Sequence, residues 1–337
     1  MRIATYNVEW FNNLFDRRGK LLQDTEPSSR YGVTRGEQLG ALGIVFTALD
    51  ADAIMIIEAP DNNRQRQTAP MLERFAKHFG LRTRSVLIGY SNETQQEIAL
   101  LYDPEVLRAR HDPQADGVPR FDGSYRIDLN IDAEPETVTF SKPPLEVAVL
   151  TKGGKRLRLI GVHIKSKAPH GSGSPEAAVR QAIENRRKQL AQCIWLRARI
   201  EQHLAANDDL IVLGDFNDGP GIDEFEQLFG RSGVEIVLGE AAPPALRMRD
   251  PHAHAALLHP TAAAPTSARF YLPEQGHFFT ALLDYVMLSP GLCKAAPKWR
   301  IWHPFDDAVC YKTPELREAL LQASDHFPVS VDLTLDG

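Results

Sequence analysis

The sequence predicts a mixed α/β protein. Two observations carry this reading: short runs rich in Ile, Val and Leu that stop at a polar residue, and longer stretches between them with helical spacing and caps. In chain order, Ile3-Ala4-Thr5-Tyr6 leads to Asn7. Thr34-Arg35-Gly36-Glu37 then forms a capping-box signature, and Leu39, Leu42, Phe46 and Leu49 follow at the spacing of one helix face. Ala53 to Ile57 leads to Glu58, and Leu157 to Val162 leads to His163. Ser174-Pro175-Glu176 offers an N-cap with proline at the first helical position, opening a helix that runs to about Leu204. Ile183, Leu190, Cys193 and Ile194 form its stripe, and Arg180 and Arg187 share another side of it. Leu210 to Leu213 passes through Gly214 to Asp215. Such runs suit strands buried on both faces, which alone would suggest a parallel sheet. Phe327 to Leu333 alternates instead, as expected of a strand with one wet face. Lys20–Tyr31, His111–Asp122, Arg247–Gln275 and Ala295–Pro314 are rich in turn formers and read as long loops.

With 337 residues, 43% of them hydrophobic, the chain can bury a large core, as one big α/β domain or two smaller ones. No apolar run is long enough to span a bilayer. MRIATYNVEWF enters a strand pattern directly, without the apolar stretch and cleavage site of a secretory signal. Cys193, Cys293 and Cys310 are scattered and odd in number, which argues against a disulfide framework or a cysteine metal site. The expectation is a cytoplasmic protein. The net charge of −6 hides an asymmetry: Lys142 to Arg199 holds thirteen Lys/Arg against three Glu and no Asp. Either this stretch is a solvated helix face plus a basic hairpin, or it is a surface that faces phosphate.

Four constellations carry chemistry. Glu58, delivered at a strand end, suits a hard cation such as Mg²⁺, which prefers oxygen ligands; a lone strand-end glutamate is usually just solvated, but Asn7, Asp215 and Asp325 recur in equivalent settings. Leu213-Gly214-Asp215-Phe216-Asn217-Asp218 presents a carboxylate that can deprotonate water and an amide that can donate to a phosphate oxygen. An Asx-rich turn would satisfy the same residues. Ser324-Asp325-His326 offers a proton-handling histidine, and Asp284 is a charge inside the apolar run Leu283–Leu288. A buried Asp needs a partner and a histidine needs its tautomer fixed, so an Asp284–His326 pair follows. Finally, His163 and Lys165 share one strand face inside the basic stretch.

The ordered set Asn7-Val8-Glu9, Glu58, His163-Ile164-Lys165-Ser166, Gly214-Asp215-Phe216-Asn217, Asp284-Tyr285 and Ser324-Asp325-His326 resembles the endonuclease/exonuclease/phosphatase superfamily, over Ile3 to Leu333. The resemblance implies one domain over 1–337, a four-layered sandwich of two mostly antiparallel sheets packed face to face with helices outside. It implies Mg²⁺, with Mn²⁺ as a substitute, at Glu58 with Asn7, Glu9 and Asp325 nearby. It makes Asp215 the group that activates water, Asn7 and Asn217 phosphate holders, and His163 and the Asp284–His326 pair phosphate contacts and proton carriers. In Phe140-Ser141-Lys142-Pro143-Pro144, Lys142 stands where the family usually carries arginine, a point charge in place of a fork. Ile57 replaces the glutamine many relatives place before the metal-binding glutamate. A further acid supporting His163 would be Glu93 or Glu97. The interval 285–324 looks long for the family, either a substrate-shaping loop or an inert insertion.

The implied activity is metal-dependent phosphodiester hydrolysis, first of all on DNA or RNA. NVEWF and HIKSK resemble bacterial nuclease-like members, and Lys142, Lys165, Lys167, Arg180 and Arg187 are available to backbone phosphates. The alternative is a lipid or small-molecule phosphoester. The inositol-phosphatase branch usually has tryptophan before its GD-x-N motif, where this chain has Leu213. A sphingomyelinase-like role would want an exposed aromatic hairpin. The third possibility is a non-catalytic binding protein on this fold, against which stands the presence of every principal position.

Overall fold

A computed structural model describes residues 1–90, 96–127, 136–168, 174–220, 230–258, 264–273 and 275–335. β1 (Arg2–Asn7), α1 (Arg35–Leu49) and β2 (Ala53–Ala59) form a first strand–helix–strand unit, and α2 (Thr68–His78) follows it. β3 (Ser85–Ile88), β4 (Glu97–Tyr102) and β5 (Leu107–His111) come next, then the short ribbon β6 (Tyr125–Ile127) with β7 (Glu136–Val138), and β8 (Leu145–Thr151). A second strand–helix–strand unit is β9 (Arg156–His163), α3 (Pro175–Ala205) and β10 (Leu210–Asp215). The remainder comprises α4 (Gly233–Leu238), α5 (Pro251–Leu258), the hairpin β11 (Ala268–Leu272) and β12 (His277–Ala281), β13 (Asp284–Leu288), β14 (Lys298–Ile301), α6 (Ala308–Lys312), α7 (Pro314–Ala323) and β15 (Val329–Asp332).

One sheet has the order β14-β15-β1-β2-β4-β3 and the other β13-β10-β9-β8-β5. Each contains a single parallel pair, β1–β2 and β9–β10, and is otherwise antiparallel. A parallel pair needs a crossover, and α1 and α3 supply the two. Both helices start as their sequences dictate. The Thr34 side chain accepts from the Glu37 N–H in a complete capping box, and Ser174 accepts from the Ala177 N–H.

Period-two alternation explains why the central strands read as unbroken apolar runs. Ala53, Met55, Ile57, Ile211 and Leu213 point between the sheets, against Leu100, Val147, Leu159 and Val286. Their neighbours Ile54 and Ile56 face the other way, onto α1, α2 and α7, while Val212 and Leu210 face α3 and α4. Three apolar layers therefore separate four layers of secondary structure, the sandwich that the family resemblance implies rather than the parallel sheet that the buried runs alone suggest.

Several expectations change. Arg247–Gln275 is not a plain loop, since it holds α5 and β11, and Ala295–Pro314 holds β14 and α6. The interval 285–324 is no insertion laid on the surface: β14 is the edge strand beside β15, and α7 packs its Leu316, Ala319 and Leu320 against α1. His111–Asp122 and Lys20–Tyr31 do lack helix or ladder strand beyond the last residue of β5. β15 is drier than its alternation suggests: Ser330 is buried and accepts from Trp302 Nε1 at 3.0 Å, while Asp332 at the strand's end is half-buried and pairs with Arg2 at 2.8 Å.

The basic stretch divides three ways: Lys142 and Lys165 line the cleft described below, Lys152, Arg156, Arg180 and Lys188 are exposed, and the rest includes a buried set. Arg186, Arg197 and Arg199 are buried. Arg197 donates to the carbonyls of Val237 and Leu246, and Arg199 to those of Gln114 and Val118 beside the Glu146 carboxylate. Arg186 bonds Asp218 at 2.9 Å with both side chains fully enclosed. Asp218 also accepts from the Gly233 N–H at 2.6 Å, so the pair ties the turn after β10 to α3 and α4. Losing Arg186 leaves the buried Asp218 still facing Lys167 at 3.1 Å, so the cost falls short of the roughly 3–5 kcal/mol of a wholly unpaired buried charge. Arg186→Met should lower unfolding free energy by about 1–3 kcal/mol in urea denaturation, whereas a loss below ~1 kcal/mol would show the pair to be dispensable.

Candidate active site

The two parallel pairs end at the same edge of the sandwich. Asn7 closes β1 beside Ile57, one residue before Glu58. His163 closes β9 opposite Asp215, the last residue of β10, and Asp215 is itself opposite Asp284, the first residue of β13. The lead-in to β15 joins them: Ser324 donates to the Asn7 carbonyl at 2.7 Å, and the His326 N–H reaches back to Ser324 Oγ. A cleft of about 450 Å³ opens there. It is lined by Asn7, Glu9, Trp10, Glu58, Gln96, Ser141, Lys142, His163, Ile164, Lys165, Ser166, Asp215, Asn217, Phe270, Asp325 and His326.

Backbone irregularities aim these groups. Glu58 sits at φ +60° where the β2–β4 register shifts, and its Oε2 accepts from the Trp10 N–H at 2.9 Å. A β-bulge of this kind turns a side chain out of the ladder. Gly214 has φ +141°, and a Cβ there would collide with the Val162 carbonyl oxygen, so only glycine lets β10 close on β9 just before Asp215. Asn217 is in the left-handed region at φ +49°. Its N–H and side-chain amide both turn back onto Asp215, at 2.8 and 3.2 Å, and the amide also donates to the Ile164 carbonyl. α3 braces this turn, with Gln189 donating to the Asn217 carbonyl and Gln192 accepting from the Lys165 N–H.

Four oxygen-bearing side chains of the cleft are of the type a hard divalent cation takes. These are Glu58, Glu9, Asp325 and Asn7, and Asn7 Oδ1 is buried without a hydrogen-bond partner while its amide donates to Asp215 at 2.9 Å. An orphaned amide oxygen among carboxylates is what a Mg²⁺ or Mn²⁺ ligand set contains. Glu9 is shared: its Oε2 accepts from Arg30 at 2.7 Å and from the Asp325 N–H at 3.2 Å. Burial and Asp325 push its carboxyl up to about 7, against the pull of Arg30. Asp215, Asp284 and His326 also bring ligand atoms within 4.8 Å of one another. That set is already bonded, within itself and to its neighbours, although Asp284 Oδ1 is, like Asn7 Oδ1, buried without a hydrogen-bond partner. Asp284 Oδ2 accepts from His326 Nδ1 at 2.7 Å and from Ser267 at 2.8 Å, and Asp215 accepts from both asparagines.

The two histidines carry opposite charge states. Burial opposes charge on His326, but Asp284 and Asp215 overcome it and hold the ring well above its ordinary value, as an imidazolium. Burial and the ammonium of Lys142 hold His163 well below it, as a neutral ring. Lys142 Nζ stands 3.2 Å from His163 Nδ1 and donates to Gln96. Burial pushes Asp215 up to about 7, moderated by His326.

The structure thus brings Asn7, Glu9, Glu58, Lys142, His163, Lys165, Asp215, Asn217, Asp325 and His326 to one cleft, with Asp284 behind His326. Arg180 and Arg187 are not brought there. Arg180 lies exposed on α3 and Arg187 pairs with Glu136 of β7, because the α3 side facing the site is occupied by glutamines and Arg186. Lys167 lies outside the lining as well and pairs with Asp218 at 3.1 Å. Glu93 lies outside the described residues. Glu97 accepts from the Asn62 N–H instead of lining the cleft, and its neighbour Gln96 faces Lys142. Trp10, Gln96, Ser267 and Phe270 went unread. Phe270 had a signal: Arg269-Phe270-Tyr271-Leu272 and His277-Phe278-Phe279 flank a four-residue turn, a hairpin pattern.

A four-layered α/β sandwich with an acid-lined cleft at the shared end of its parallel pairs is the frame of a phosphoester hydrolase. The Endonuclease/Exonuclease/phosphatase family model matches residues 4–326, and the chain belongs to that family. Its members hydrolyse phosphoester bonds and typically use a divalent metal. Among solved structures, an AP endonuclease from Archaeoglobus fulgidus is similar at 13% identity, over 99% of this chain and 100% of that one, with a TM-score of 0.55. A family protein from Bacteroides thetaiotaomicron matches at 12% identity over 100% and 98%, TM-score 0.51. The 3′ phosphatase NExo from Neisseria, bound to product DNA hairpin, matches at 16% identity over 99% of each chain, TM-score 0.50. At these identities the likeness is one of fold. No curated protein sequence matches the chain.

If Asp284 holds His326 charged, Asp284→Asn should bring the ring down into the range where it titrates. Followed by NMR, the His326 ring of the variant should lose its proton at a lower pH than the wild-type ring, because the carboxylate that favours the charged form is gone. An unchanged titration curve would remove Asp284 from this role.

Proposed function

We propose that the protein hydrolyses a phosphodiester of a nucleic acid by in-line attack of water on phosphorus. The observation that carries this reading is the division of the cleft into an oxygen-ligand side at Asn7 and Glu58 and a proton-handling side at Asp215, His163 and His326. A divalent cation held by Glu58 with Asn7, Glu9 and Asp325 would neutralise charge on the phosphate and on the leaving oxygen.

The chain's own groups divide the rest. Asp215, held by two amides and the Asn217 N–H, is oriented to take the proton of the attacking water as the new O–P bond forms. His326, as an imidazolium, donates to a non-bridging oxygen, where negative charge grows in the transition state. Neutral His163 and the Lys142 ammonium beside it hold a second oxygen, Lys142 supplying the charge that arginine supplies elsewhere in the family. The bridging P–O bond breaks on the side opposite the attacking water, its electron pair goes to the leaving oxygen, which takes a proton from solvent water, and Asp215 returns its proton to solvent, so the protein ends unchanged.

The direct test is a panel of plasmid, single-stranded DNA, RNA, abasic duplex, a chromogenic diester and a phosphomonoester, each with Mg²⁺ or Mn²⁺. Asp215→Asn should lower kcat by about 10²–10⁴ with KM little changed, the usual worth of a positioned general base. Glu58→Gln should abolish stimulation by Mg²⁺. Turnover surviving both substitutions would sink the mechanism.

A further inference from the structure

The hairpin of β11 and β12 stands at the lip of the cleft and carries four aromatic side chains, Phe270, Tyr271, Phe278 and Phe279, that the chemistry above does not use. It is fastened to the catalytic segment: the Arg269 N–H donates to the Asp325 carbonyl and the Phe327 N–H to the Ser267 carbonyl. Strand pairing sorts its side chains into two faces. Tyr271 is opposite Phe278, and Phe270 is opposite Phe279. Residues directly opposite share a face.

The first face is braced. Tyr31 stacks on Tyr271 at 4.1 Å, Tyr271 tilts against Phe278, and the Arg269 guanidinium lies 3.4 Å over the Phe278 ring. The second face begins inside the site. Phe270 lines the cleft with its ring edge-on to His326 at 5.4 Å. Phe279, beside it, is 52% exposed and has no ring or cation partner among the described residues. One side of the ribbon thus holds it rigid, while the other extends an aromatic surface outward from the reacting centre.

Resting on the phosphodiesterase reading, we propose that the Phe270–Phe279 face is a stacking platform for unpaired bases, making single-stranded nucleic acid the substrate class. Phe270 would take the nucleotide next to the phosphate at His326, and Phe279 the one beyond. Aromatic rings flanking a cationic backbone track are how single strands are held without sequence preference, and Lys142 and Lys165 supply the cations in the cleft. A duplex keeps its base faces stacked inside the helix and has none to offer. A bilayer fits less well. An inserting hairpin would present apolar residues at its tip, and the sequence joining the two strands, Pro273 to Gly276, supplies no large apolar side chain.

Binding of a fluorescein-labelled oligothymidylate is measured by anisotropy with Mg²⁺ in the Asp215→Asn background. Adding Phe279→Ala should weaken binding by about tenfold, Phe279→Trp should restore it, and a duplex of equal length should bind more weakly and change less than about twofold. Because Phe279 is exposed, the fold should be unaffected, checked by circular dichroism. Equal binding of single strand by Phe279→Ala, or equal affinity for duplex, would overturn the platform. So would Phe279-dependent flotation with phosphatidylcholine–phosphatidylserine vesicles, which would assign the ribbon to a membrane. Cleavage persisting in the Asp215→Asn background would instead count against the catalytic reading and leave the stacking result standing.

Discussion

Each sheet of this sandwich contains one parallel strand pair, and the site depends on that constraint. Parallel neighbours end at the same edge, whereas antiparallel ones end at opposite edges. With β1–β2 and β9–β10 both ending at one rim, the backbone alone delivers Asn7, Glu58, His163 and Asp215 to a common place. Antiparallel β13 and β15 then begin where those pairs end, adding Asp284 from one sheet and the Asp325–His326 lead-in from the other.

Parallel pairing also requires the two crossover helices, and α3 does more than cross. Its buried polar side chains face the loops that follow β9 and β10. Asn185 donates to the Ala168 carbonyl, Gln192 accepts from the Lys165 N–H, Gln189 donates to the Asn217 carbonyl, and Arg186 holds Asp218. The chemistry sits on loops, but the loops are fastened to a long helix. Such fastening matters because misplacing a reacting group by about 1 Å can cost on the order of 10²-fold in rate.

Much of this was legible in the sequence. Strand-end polar residues, the Thr34 capping box, the Ser174 cap and the Asp284–His326 pair each follow from local rules about caps, alternation and buried charge. Part of the basic stretch fits neither reading because charge in sequence carries no direction: Arg197 and Arg199 are cationic yet turned inward to cap carbonyls. Arg187 was misread for a related reason, since helical period fixes a face but not what packs against it. The 268–281 hairpin was hidden by the turn formers around it, although Phe270 and Phe279 sit at hairpin spacing. Tertiary pairing decides Gln96 over Glu97, and one residue of strand phase is enough to exchange them.

The central claim is that a divalent cation belongs on the oxygen side of the cleft, at Glu58 and Asn7. Anomalous diffraction from crystals of the protein grown with Mn²⁺ tests it most directly. The expected result is a peak roughly 2.0–2.3 Å from a Glu58 carboxylate oxygen and from the otherwise unpartnered Asn7 Oδ1. A peak among Asp215, Asp284 and His326 alone, or none in the cleft, would contradict it.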